Sequence, residues 1–112
     1  MAAGVQDVLT ANAVIIGTTE NFGYMSGLIK DFFERIYYPC LEKTQALPWA
    51  LYVRAGKDGA GALRAVCAIA VGLKWRAVQE PLLLHGNHKP EFIGQCETLG
   101  STMAAGLEAG LF

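Results

Sequence analysis

This sequence predicts an α/β domain built on a parallel sheet, and three observations predict it. Short apolar runs rich in β-branched and aromatic residues (residues 13–17, 49–53 and 82–84) show no polar alternation, so each suits a strand buried on both faces. Between them, apolar residues recur at helical spacing. The resulting order is strand, helix, strand, helix, strand, helix, which implies parallel strands joined by right-handed crossovers.

Residues 5–10 read as the last turns of a short helix or as an irregular lead-in. Ala13 to Gly17 is the first strand, and the stretch from Thr18 to Ser26 follows it as a loop. Ser26 can cap the next helix, where Leu28/Ile29, Phe32/Phe33, Ile36/Tyr37 and Cys40/Leu41 mark one apolar face. Lys30 with Glu34 and Asp31 with Arg35 stand four residues apart and support it. Pro39 ends or kinks this helix near Tyr38.

The second strand covers residues 49–53, and a glycine-rich loop, Arg54 to Gly61, leads into a helix over residues 60–73 with Gly72 as its stop signal. Lys74 to Val78 is extended in character. Pro81 marks an edge or a break before the third strand, Leu82 to Leu84. A last helix starts near Pro90 and carries Phe92, Cys96, Leu99, Met103 and Leu107 on one face. Gly94, Gly100 and Gly106 each weaken that helix by roughly 1 kcal/mol relative to Ala, so packing must hold it.

The chain has 112 residues, enough for a single domain over residues 1–112. It is 53% hydrophobic and 17% charged, against the usual ~45–50% and ~25%, which argues for extensive burial rather than disorder. A net charge of -1 does not suit a nucleic-acid binder. No apolar window reaches the ~18–20 residues of a membrane span, and the first twelve residues lack the basic and apolar regions of a signal peptide. Cys40, Cys67 and Cys96 form no paired motif, which fits reduced thiols in a cytoplasm.

Ligands of open α/β sheets bind beyond the carboxyl ends of the strands, where the loops Thr18–Gly27 and Arg54–Gly61 stand. The first offers hydroxyls, an amide, Phe22 and Tyr24 as flat faces, and Gly23 for close backbone approach. The start of the following helix favours an anionic or carbonyl-bearing edge. Together these describe a site for a flat, polar, partly anionic heterocycle. Less is read into the other polar residues. Asp58 can cap the following helix, His85 and His88 lack a third metal ligand, Cys40 lacks a base, and Arg54, Arg64 and Arg76 are expected solvated or paired at the surface.

The stretch VIIGTTENFGYMSGLIKDFFER resembles the flavin-ring segment of flavodoxin-like proteins, in particular their NAD(P)H-dependent FMN reductase and quinone reductase branch. LYVRAGKDGAGALRA resembles the second flavin-edge loop of that family. The resemblance implies a doubly wound parallel sheet represented here by three strands, equivalent to the third, fourth and fifth of the family. It implies FMN as cofactor, NAD(P)H as electron donor and a quinone or similar small-molecule acceptor. Thr18, Thr19, Asn21, Phe22, Gly23 and Tyr24 match the loop against the isoalloxazine ring, and Gly56, Asp58 and Gly59 match the loop at its opposite edge. No side chain is assigned as a catalytic acid or base, because the flavin would carry the redox chemistry.

The sequence departs from the family pattern in its first strands. Only twelve residues precede Ala13, so the first strand, phosphate loop and second strand of the family have no counterpart here, and no other phosphate motif replaces them. The flank of Val14-Ile15-Ile16 is therefore expected to lack its neighbour. That exposed edge motivates an alternative, a non-catalytic α/β half-domain stabilised as a homo-oligomer.

Overall fold

The structure, a computed structural model, describes residues 3–112. Its elements in chain order are α1 (Val5–Thr10), β1 (Val14–Asn21), β2 (Tyr24–Met25), α2 (Gly27–Cys40), β3 (Pro48–Ala55), α3 (Ala60–Gly72), β4 (Arg76–Ala77), β5 (Leu82–His85) and α4 (Glu91–Glu108).

The central line of the sheet is β3, the most completely buried strand. β1 runs parallel to it on one side, with Val14 opposite Trp49 and Thr19 opposite Arg54. On the other side β3 pairs in parallel with β4 at Pro48 and Trp49, then with β5 from Tyr52 to Ala55. β4 and β5 thus form one interrupted edge line. The interruption falls at residues 78–81, where Pro81 cannot donate to a ladder, so the strand bulges away and rejoins.

Alternation divides the side chains of β3 between two layers. Trp49, Leu51, Val53 and Ala55 join the larger core beneath α2 and α3, together with Phe33, Ile36, Val66 and Leu73, all nearly or completely buried. Ala50 and Tyr52 face the other way, against Leu99 and Met103 of α4. Each large apolar side chain in the first layer contributes roughly 1.5–3 kcal/mol by leaving water. In the heart of that core the Trp75 indole donates to the buried Thr44 hydroxyl at 2.9 Å, which settles a polar group that would otherwise be costly.

Several elements fall where the sequence puts them. Ser26 caps α2 by accepting from the Ile29 amide at 3.2 Å, and both i,i+4 ion pairs of that helix form at 3.0 Å. Other expectations are corrected. α2 runs through Pro39 to Cys40, because a proline this close to the end costs little beyond its one missing donor. The extended segment after α3 is only Arg76–Ala77. The stretch expected to be a loop after Gly17 is largely strand. β1 continues through Thr18–Asn21 and folds back as a hairpin onto β2, with Glu20 opposite Met25 and Asn21 opposite Tyr24. Among the described residues, Val14 to Thr19 have no strand partner on the side away from β3.

Candidate functional site

The hairpin tip is the two-residue turn Phe22-Gly23, with φ of 53° and 71°. Positive φ at both central positions matches the twist of a tight hairpin. Glycine adopts it freely, whereas for a bulky aromatic it is strained. Phe22 nevertheless gains no packing from this, since its ring is fully exposed at 108% relative accessibility, and Tyr24 beside it is 42% exposed.

The hairpin is seated by backbone rather than by apolar burial. Its turn lies on the first turn of α3, where a Cβ on Gly61 would run into the Gly23 carbonyl. The Glu20 carboxylate accepts from the Ala62 amide at 3.1 Å, a charged cap on the start of α3 supplied from across the sheet. At the base of the hairpin, the Thr18 hydroxyl donates to the Thr19 carbonyl and accepts from the Ser26 amide, both at 2.9 Å. Thr18 is buried and its hydroxyl is committed to this clasp. The Thr19 hydroxyl is exposed and accepts from the Asn21 side-chain amide at 3.0 Å.

The Gly56, Asp58 and Gly59 loop leaves the end of β3 and enters the same helix, so α3 brings the two predicted segments to one end of the sheet. Gly56 is exposed, with open space where a side chain would stand. The Asp58 carboxylate accepts from the Ala60 amide at 3.0 Å, so it holds the helix start as expected. Gly59 is buried at φ 74° and precedes α3 as its cap residue. Beside the hairpin, the Lys30 ammonium is held above its ordinary pKa, first by its hydrogen bond to Glu34 and then by the charge of Glu34, with Tyr24 adding in the same direction. Burial pushes the Cys40 and Cys67 thiols up, so neither is a poised nucleophile.

Sequence reasoning missed two features of this end of the molecule. One is the Glu20 bridge, which spans 42 residues and has no local signature. The other is Arg54, expected to be solvated or paired. It is partly buried, its guanidinium donates to the Ala55 and Leu84 carbonyls at 2.8 and 3.1 Å, and it lies 5.1 Å from the Phe92 ring centroid. Among the described residues no three His, Cys, Asp or Glu side chains gather to hold a metal, and no helix is long and apolar enough to cross a membrane. Elsewhere, a groove of about 320 Å³ lies between α1 and α2, along the side of β1 that has no strand partner among the described residues.

No protein-family model matches the sequence, and no curated protein matches it. Among solved structures, the C101S mutant of a flavodoxin from Pseudomonas aeruginosa superposes with a TM-score of 0.77 over 95% of this chain and 75% of that one. The fold is flavodoxin-like. At 17% identity this likeness concerns the architecture alone, and it agrees with a flavodoxin-like parallel sheet carrying helices on both faces. In flavodoxin-like sheets the carboxyl ends of the strands are the ligand-bearing end, and here that end carries the hairpin tip and the Gly56–Gly59 loop.

Proposed function

We propose that this chain binds FMN and serves an NAD(P)H-dependent oxidoreductase reaction that reduces a quinone or similar small acceptor. The observation that carries the reading is the Phe22–Tyr24 tip. Two aromatic rings are displayed to solvent on a strained turn that backbone contacts and a charged cap hold in place. Strain and apolar exposure that do not serve packing are a mark of binding surfaces.

The residues present fit the ring of a flavin. Phe22 and Tyr24 supply flat faces, Thr19 and Asn21 supply polar groups at one edge, and Gly23 and Gly56 leave room for close approach. Gly59 and Asp58 shape the opposite edge, with Asp58 fixing the loop rather than meeting the ligand directly. Thr18 contributes by locking the hairpin base. When bound, the flavin supplies hydride-accepting and hydride-donating chemistry. The residues of this chain would hold and orient the ring.

Flavin fluorescence tests this reading. Titrating the chain into FMN should give saturable quenching in the micromolar range. Replacing both Phe22 and Tyr24 with Ala should weaken binding by about tenfold or more, since stacking on an aromatic side chain contributes ~1–3 kcal/mol per base in comparable sites. Quenching that never saturates, or that is indifferent to both substitutions, would overturn it.

The side of β1 that has no strand partner among the described residues favours a second reading, a homodimer formed by edge pairing. Val14 to Gly17 carry no charge there, and Ile15 is 41% exposed. Sedimentation should then show a dimer that Ile15→Lys converts to monomer. A parent chain already monomeric at ~100 µM, a concentration at which a micromolar pair would be mostly associated, excludes it.

A further inference from the structure

Alternation along β1 sends Val14, Ile16, Thr18 and Glu20 to the face that carries α2 and α3. Ile16 and Thr18 are buried there, and Val14 packs against the same core. The fourth inward position holds a carboxylate, and it stands where the hairpin passes from fixed to free. Below it, Met25 is buried and the Thr18 hydroxyl accepts from the Ser26 amide. Above it, Asn21, Phe22, Gly23 and Tyr24 are all exposed. Among the described residues, the bond from the Ala62 amide to the Glu20 carboxylate is the one side-chain hydrogen bond that ties the hairpin to α3.

The same turn of α3 also holds the second candidate segment. Its cap residue, Gly59, has no side chain to offer, and the Leu63 amide donates to the Gly59 carbonyl at 3.0 Å. The amides of Ala60, Gly61 and Ala62 therefore look outside the helix for partners. Asp58 takes the first at 3.0 Å and Glu20 takes the third at 3.1 Å, while the Gly23 carbonyl lies against Gly61 between them. Each candidate segment is thus registered by one carboxylate on one shared helical turn.

We infer that Glu20 is a positioning residue whose reach, more than its charge, sets the spacing between the Phe22–Tyr24 tip and the Gly56–Gly59 loop. The ligand that this spacing serves rests on the flavin-ring reading. Binding groups must be held within about 0.5 Å of their productive geometry. Asp at position 20 would retract the carboxylate by about 1.5 Å, the length of one C–C bond. The tip cannot follow it, because the Gly23 carbonyl already rests on Gly61, so the bond to the Ala62 amide is lost. Gln keeps both the reach and an acceptor oxygen and gives up only the charge.

Two measurements test the inference. In the ligand-free chain, the NMR contact between Gly23 and Gly61 should persist in Glu20→Gln and vanish in Glu20→Asp. In fluorescence titrations with FMN, Glu20→Gln should stay within about threefold of the parent affinity, whereas Glu20→Asp should bind about tenfold more weakly, the scale of a lost charge-assisted bond. Thr44→Val, a core change at the opposite end of β3, is the stability control and should bind FMN as the parent does. All affinities refer to the folded fraction, read from urea curves of the same proteins. Glu20→Asp binding as tightly as Glu20→Gln, or more tightly, would assign the effect to charge and overturn the inference. Equal binding by the parent and both variants would overturn it too, and leave Glu20 as a cap on α3 alone. If quenching by the parent never saturates, the flavin reading falls by itself. The Gly23–Gly61 contact then decides the positioning role, which its survival in Glu20→Asp would sink.

Discussion

Replacing Gly61 with Ala should destabilise the protein, although the same change in an ordinary helix stabilises it. In a helix interior Ala gains up to about 1 kcal/mol over Gly. At Gly61 the new methyl group would run into the Gly23 carbonyl, a backbone atom that cannot rotate aside. The hairpin must lift off α3, and overpacking of this kind costs about 1–3 kcal/mol. Lifting also strains the Glu20 bond to the Ala62 amide. The net expectation is a loss of about 1–2 kcal/mol with the opposite sign to the propensity effect. Gly100→Ala in α4 is the internal control, because nothing lies within 4 Å of its added methyl group, and it should gain up to about 1 kcal/mol. Urea denaturation of the three proteins, compared at unchanged slope, reads both signs. If Gly61→Ala proves as stabilising as Gly100→Ala, the hairpin does not rest on α3, and the two candidate segments are not held as one site.

Two further predictions concern the core. Thr44→Val keeps the shape of the side chain but leaves the buried Trp75 indole N–H without its acceptor, so unfolding should show a loss of about 1–3 kcal/mol. Cys40 and Cys67 have thiol pKa values raised by burial, so between the ordinary thiol value and the raised one the unfolded chain has released protons that the folded chain retains. Stability is therefore full below ~pH 8.5 and falls as pH rises above it. Denaturation between neutral pH and ~pH 10 should show that fall, and it should shrink in the Cys40→Ala, Cys67→Ala double variant; an equal fall in both proteins would assign it to other groups.

The layered architecture was legible because its signals are local. The uncharged runs at Val14–Ile16, Trp49–Val53 and Leu82–Leu84 are strands as read, although only the middle one is covered on both faces, since Ile15 and Leu83 are exposed, and the periodicity from Leu28 to Leu41 marks a helix. Pro81 correctly signalled both an edge and an interruption. The hairpin was missed because Thr18 to Asn21 are polar, and a strand that extends past the core no longer shows the apolar pattern by which strands are recognised. A signal was present nonetheless in Phe22-Gly23, a two-residue turn between strand formers, although aromatic residues are rare at its first position. Long-range polar contacts leave no such trace. Neither the Glu20 cap on α3 nor the anchoring of Arg54 by the Leu84 carbonyl could be read from spacing, because each exists only once the strands stand side by side.

The candidate residues stand at one end of the sheet, but their division of labour was not legible in the sequence. Thr18 and Asp58 are committed to backbone amides, whereas Phe22 and Tyr24 are presented outward. The most direct test of the account is therefore where FMN touches the chain. Amide shifts recorded on adding FMN to the labelled protein should concentrate at Phe22–Tyr24 and Gly56–Gly59, with smaller changes at Thr19 and Asn21. Shifts confined instead to the groove lined by Val8, Ala13, Ile15 and Ile29, with the hairpin tip undisturbed, would contradict it.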